Sequence, residues 1–156
     1  MTNDVASLIR APISDLEPAT PVTIELGSAV GKAIGLMQEH RIGCILVTNR
    51  GRLAGILSER DVTMKIVGKE IDLDRLVDEF MTPDPEVLSP GHAIAYALNR
   101  MSLGGYRHVP LVESDGTPQG IISVKDVVDH IVEHFQKEVY NLPPEPDVHG
   151  KSREGA

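Results

Sequence analysis

The heptapeptide Gly55-Ile56-Leu57-Ser58-Glu59-Arg60-Asp61 returns 65 residues later as Gly120-Ile121-Ile122-Ser123-Val124-Lys125-Asp126. No other feature limits the fold as much, because the match extends well beyond it. Pro85 answers Pro21, Gly91 answers Gly27, Ile94 answers Val30, Ala97 answers Ala33 and Met101 answers Met37, all at an offset of 64. The shift to 65 is expected from one extra residue near Leu103-Gly104-Gly105, after which Val112 answers Val47 and Gly116 answers Gly51. A register kept over a whole unit marks an internal repeat. The chain is two copies of one element.

Within each heptapeptide an apolar run ends at a Ser, and an Asp follows three residues on. This is the pattern of a strand that stops where a helix starts, with Ser58 or Ser123 as N-cap and Asp61 or Asp126 as the acidic half of a capping box. The helix start explains both residues without a ligand. A helix N-terminus with free N–H groups also attracts anions, so the two roles are compatible.

The rest of each unit follows from periodicity. Val22-Thr23-Ile24 reads as a short strand closed by Gly27, and Ser28 to His40 carries apolar residues at helical spacing. Cys44-Ile45-Leu46-Val47 and Leu53 to Leu57 read as strands joined by a hairpin turn at Asn49 to Arg52, and Val62 to Val67 continues a helix. Each copy therefore reads strand, helix, strand, strand, helix. The boundaries expected are 10–67 for the first unit, a charged linker at 68–77, and 78–137 for the second. Its last helix runs from Val124 to about Gln136, with Val127, Val128, Ile131, Val132 and Phe135 on one stripe. Residues 138–156 hold prolines and little that is apolar, and are expected to be a disordered tail.

Composition narrows the partners. The 156 residues are 41% hydrophobic, enough for a sizeable core, and only 3% aromatic, so that core is aliphatic. A formal charge of -8 argues against nucleic acid or an anionic membrane as the main partner. No stretch is long and apolar enough to span a bilayer, and Met1 to Arg10 lacks the blocks of a signal peptide. The single Cys44 excludes an intramolecular disulfide and a cysteine zinc cluster, which fits a reducing, cytoplasmic setting.

A duplicated unit with G-h-h-S-x-x-D at its end and a short strand after a Pro resembles the cystathionine-β-synthase (CBS) domain, and two in tandem resemble a Bateman module. The resemblance covers about residues 10 to 137. It implies an α+β fold of two β-α-β-β-α units packed about a pseudo-twofold axis, with two clefts between them for adenosine-containing ligands such as AMP, ADP or ATP. It also implies a stand-alone, non-enzymatic sensor that signals to a partner protein, with no obligatory cofactor and with Mg2+ only as a companion of the nucleotide. Carried over by position, one cleft would be built by Ile121, Ser123, Lys125 and Asp126 with Thr20, Val22, Ile42, Gly43 and Cys44. The other would be built by Ile56, Ser58, Arg60 and Asp61 with Asp84, Val87, Arg107, His108 and Val109.

Elementary chemistry agrees with that assignment. A carboxylate can accept hydrogen bonds from two vicinal ribose hydroxyls, and Arg60, Lys125, Arg107 and His108 offer cations to a phosphate. The small Gly43-Cys44-Ile45 turn can approach a flat base more closely than the bulkier His108-Val109-Pro110. The Asp126 cleft is therefore expected to favour adenosine, and the Asp61 cleft to be weaker or to prefer phosphate. The helices Ala29 to Glu39 and Ala93 to Leu103 carry apolar positions on more than one side, which points to a homodimer.

Other constellations are weaker. His130 and His134 lie four apart, but Asp129 and Glu133 beside them mark a solvated face rather than a metal site. Cys44 opens an apolar strand and reads as a core residue. Without a P-loop, a metal carboxylate cluster or a G-x-S-x-G elbow, a nucleotide hydrolase is the least supported reading. A constitutive dimerisation scaffold with vestigial clefts is the alternative.

Overall fold

A computed structural model describes residues 5–136; the tail at 138–156 and the last residue of the second unit lie outside them. A helix α1 (Val5–Arg10) leads into the first unit, made of β1 (Thr23–Glu25), α2 (Val30–His40), β2 (Cys44–Asn49), β3 (Arg52–Ser58) and α3 (Glu59–Lys65). The second contains β4 (Thr82–Pro83), α4 (Ile94–Gly104), β5 (His108–Val112), β6 (Pro118–Ser123) and α5 (Val124–His134). Two short 3-10 turns, Ile13–Leu16 and Val77–Glu79, precede β1 and β4.

The two sheets share one plan. In the first, β1 lies parallel to β2, β2 pairs antiparallel with β3, and β4 adds to the far edge of β3 through Ile56 and Thr82. In the second, β5 pairs antiparallel with β6, and single bridges stand where the outer strands would be: Leu88 parallel to Leu111, and Ala19 antiparallel to Ile121. The missing opening strand has a local cause. In the first unit the N–H of Leu46 donates to the carbonyl of Val22 at 3.1 Å. The residue 64 positions on is Pro110, which has no N–H to give, so the pairing shrinks to the contact at Leu88.

Each core is closed by a segment from outside its own hairpin. Ile24, Val30, Ala33, Met37, Ile45, Val47 and Leu57 bury themselves with Val77 and Phe80, which precede β4 at the start of the second unit. Leu88, Ile94, Ala97, Met101, Val109, Leu111, Ile122 and Val127 bury themselves with Ile13 and Leu16, which precede β1 at the start of the first. Backbone hydrogen bonds repeat the exchange: Ile13 N–H to the His92 carbonyl at 2.8 Å, and Val77 N–H to the Ser28 carbonyl at 2.8 Å. Val77 stands 64 residues after Ile13, and His92 stands 64 after Ser28, so the exchange is symmetric. Each core is completed by the other unit's lead-in.

The extra residue of the second copy does not lie near Leu103-Gly104-Gly105. Helices α2 and α4 are both 11 residues long and end on left-handed caps, Arg41 and Gly105, still 64 apart. The β2–β3 turn has two residues, Arg50 and Gly51, both with positive φ, as a type I′ hairpin requires. The β5–β6 turn has three, Ser114, Asp115 and Gly116, closed by Glu113 N–H to the Thr117 carbonyl at 2.9 Å. Only Gly116 has positive φ there. The insertion sits in this turn, so the counterparts of Ile42, Gly43 and Cys44 are Tyr106, Arg107 and His108.

Candidate functional site

Both capping boxes form. The Ser58 hydroxyl accepts from Asp61 N–H at 3.2 Å, and Asp61 Oδ2 accepts from Ser58 N–H at 2.9 Å and from the Ser58 hydroxyl at 2.8 Å. In the second copy the same bonds measure 3.2, 2.6 and 2.9 Å between Ser123 and Asp126. The carboxylates differ in their other oxygen. Asp61 Oδ1 meets Lys65 Nζ at 2.8 Å, whereas four residues after Asp126 stands His130, and no ion pair on Asp126 forms among the described residues. Burial raises the Asp61 pKa, but hydrogen bonds from Lys65 and Ser58, with the Lys65 charge, more than offset this and hold it below its ordinary value.

A cavity of about 450 Å³ opens at Asp61, and Ile56, Ser58, Arg60, Asp61, Arg107 and His108 line it as the sequence led one to expect. Three residues assigned to it lie elsewhere. Val109 is fully buried in the second core, because strand alternation turns it inward one step after His108. Asp84 takes a left-handed φ of 45 just past β4, its N–H bonded to the Ala54 carbonyl, and Val87 is an exposed residue beyond it. The sequence reading missed Glu59, Thr63, Met64, Thr82 and the Gly104-Gly105-Tyr106 corner, all of which line this cavity. Tyr106 packs against Gly104, where a Cβ would fall 2.1 Å from its ring. A hairpin-turn insertion in place of one at the helix end would have aligned Tyr106 with Ile42 and exposed its role.

At Asp126 the cavity is smaller, about 180 Å³. Thr20, Val22, Ile42, Gly43, Cys44, Ile121, Ser123 and Asp126 line it, together with Ala19, Pro21, Leu46, Ile122 and His108. Lys125 does not: its exposed side chain pairs with Asp129 one turn along α5. Burial, with Glu59 adding to it, pushes the Cys44 thiol up to about 12, so it is a neutral wall. The volumes run against the expected ranking. Small-molecule sites usually span about 300–1,000 Å³, and of these two clefts the one at Asp61 reaches that range while the one at Asp126 does not.

Cations are also unequally shared. Arg60 and Arg107, both exposed, form no ion pair among the described residues. Burial holds His108 below the ordinary histidine value; Glu59 and Asp126 pull it up, and Arg107 lowers it further. The ring is therefore neutral at pH 7, and the cations lining this cleft are Arg60 and Arg107. Among the described residues no group of His, Cys, Asp and Glu is placed to hold a metal ion.

Comparison with known proteins bears on this architecture. The chain is 31% identical to a CBS-domain containing protein of Agrobacterium tumefaciens, with a TM-score of 0.69 over 76% of this chain and 98% of that one. A CBS domain protein from Pyrobaculum aerophilum, solved in complex with AMP, superposes with a TM-score of 0.72 at 22% identity over 81% and 99% of the two chains. A CBS domain pair solved with 5′-methylthioadenosine and S-adenosyl-L-methionine gives 0.71 at 18% identity over 79% and 97%. Among curated relatives the chain spans 70% of one from Acidianus ambivalens but only 20% of one from Arabidopsis thaliana. The CBS-domain profile itself matches residues 13–68 and again 77–133. The chain thus belongs to the CBS-domain family, as a tandem pair of α+β units.

Proposed function

We propose that the chain is a non-catalytic sensor that binds an adenosine nucleotide in the Asp61 cleft and passes its occupancy to a partner protein. One observation carries this reading. A cleft of nucleotide size brings a capping carboxylate, two guanidinium groups without ion-pair partners among the described residues and an aromatic ring to one place. Asp61 accepts the ribose hydroxyls, Arg60 and Arg107 hold phosphate, and Tyr106 receives the base. The AMP and adenosyl ligands of the two similar structures support the ligand class. With the phosphates held by arginines, Mg2+ is a companion of a di- or triphosphate rather than a requirement.

The module works in the cytoplasm as a homodimer, with functional units at 10–67 and 78–137 and the linker at 68–77. Exposed Tyr96 and Leu103 on α4 and Val128 on α5, at 58%, 81% and 49% exposure, supply apolar surface for that pairing. Signalling requires that the nucleotide favour one arrangement of the units over another. Thermal unfolding with rising AMP tests the reading. A ligand specific to the folded state adds about 2.7 kcal/mol at a hundredfold excess over Kd, so the melting temperature should climb with the logarithm of concentration. A flat response to AMP, ADP, ATP and S-adenosylmethionine would leave the dimerisation scaffold.

A further inference from the structure

Among the described residues only Gly43 and His108 line both clefts, and they touch. A Cβ on Gly43 would fall 3.1 Å from His108 Cε1 and 3.4 Å from Nε2, so the imidazole rests on bare backbone between the cavities. We propose that His108 is a movable partition, and that the two clefts hold one nucleotide between them. This inference rests on the nucleotide-binding reading above.

The argument is one of space. At about 180 Å³ the Asp126 cleft must grow to admit an adenosyl ligand. Most of its walls cannot yield. Cys44, Leu46 and Ile122 belong to packed strands and are buried, and the Ala19 edge is tied to β6 at Ile121. The half-buried His108 side chain can turn to another rotamer, and the absent side chain at Gly43 leaves it the room. Turning away from the Asp126 cleft carries the ring into the Asp61 cleft, whose wall it also forms. Each cleft widens at the other's expense, so ligands in the two exclude one another.

Calorimetric titration of AMP into the full chain counts the sites. One AMP per chain is expected for the wild type and for His108→Phe, which keeps the bulk of a ring. Two per chain are expected for His108→Ala, with His108→Ser as a second small replacement should the alanine variant not melt cooperatively. Two independent sites in the wild type would overturn the partition and leave the nucleotide reading standing. One site in the folded small-side-chain variants would overturn it as well, since the second cleft would then be closed for another reason. No binding in any variant would sink both.

Discussion

The clefts at Asp61 and Asp126 start from the same heptapeptide and the same capping geometry, yet they differ more than twofold in volume. Their difference comes from the walls opposite. Where the smaller cleft has Ile42, Gly43 and Cys44, the larger has Tyr106, Arg107 and His108, which stand at the equivalent positions once the extra residue is placed in the second hairpin. Duplication therefore conserved the helix starts and diversified what faces them. A motif that begins a helix is constrained by the fold in both copies, whereas a turn facing a cleft is free to specialise.

The comparison breaks first at the acids. On the proposed function, Asp61→Ala removes the acceptor of two ribose hydroxyls, worth about 1.5–3 kcal/mol per charged hydrogen bond, and should weaken AMP binding by about a hundredfold or more. Asp126→Ala should change it by less than about threefold. Equal losses in calorimetry would show the clefts to be equivalent after all. Next comes the exchanged core. Ile13→Ala leaves a cavity in the second unit, not the first, and should cost about 2–5 kcal/mol in denaturant unfolding, with hydrogen exchange accelerating in α4, β5 and β6. Faster exchange confined to β1 to β3 would contradict the exchange of lead-ins.

Smaller effects sharpen the picture of the walls. Tyr106→Ala should cost about 1–3 kcal/mol of AMP binding through lost stacking, while Ile42→Ala, at the matching position of the other cleft, leaves affinity unchanged. The least effect concerns pH. His108 has a folded pKa below its unfolded value, so the unfolded chain binds more protons in that window, and stability falls as pH drops below about 6.5 through the lowered value. Glu59, Asp126 and Arg107 are the charges facing it. The melting temperature of the wild type should therefore fall more between pH 7 and 5 than that of His108→Gln; parallel curves would remove His108 from the account.

Much of this was legible because it is local. Capping boxes, the two hairpins and the amphipathic α5 each depend on residues a few positions apart, and Ser58 with Asp61 and Ser123 with Asp126 stand where their spacing put them. The misplacements have equally physical origins. Lys125 follows the same local rule as any solvated lysine and finds Asp129 one turn away. Val109 was misassigned because a slip of one residue in a strand reverses which face it shows. The slip arose from placing the insertion at the end of α4, where the apolar residues of β5 match those of β2 at either offset.

By itself the sequence determined that the chain is two copies of one unit, what elements compose each, and which carboxylates begin the critical helices. Periodicity and capping are written in neighbours along the chain, and repetition confirms them. Tertiary structure alone decided that Ile13 and Leu16 complete the second core while Val77 and Phe80 complete the first. It decided too that His108 lies on Gly43 between unequal cavities. Such contacts join residues far apart in the chain across the interface of the units, where no local pattern marks which surface will meet which.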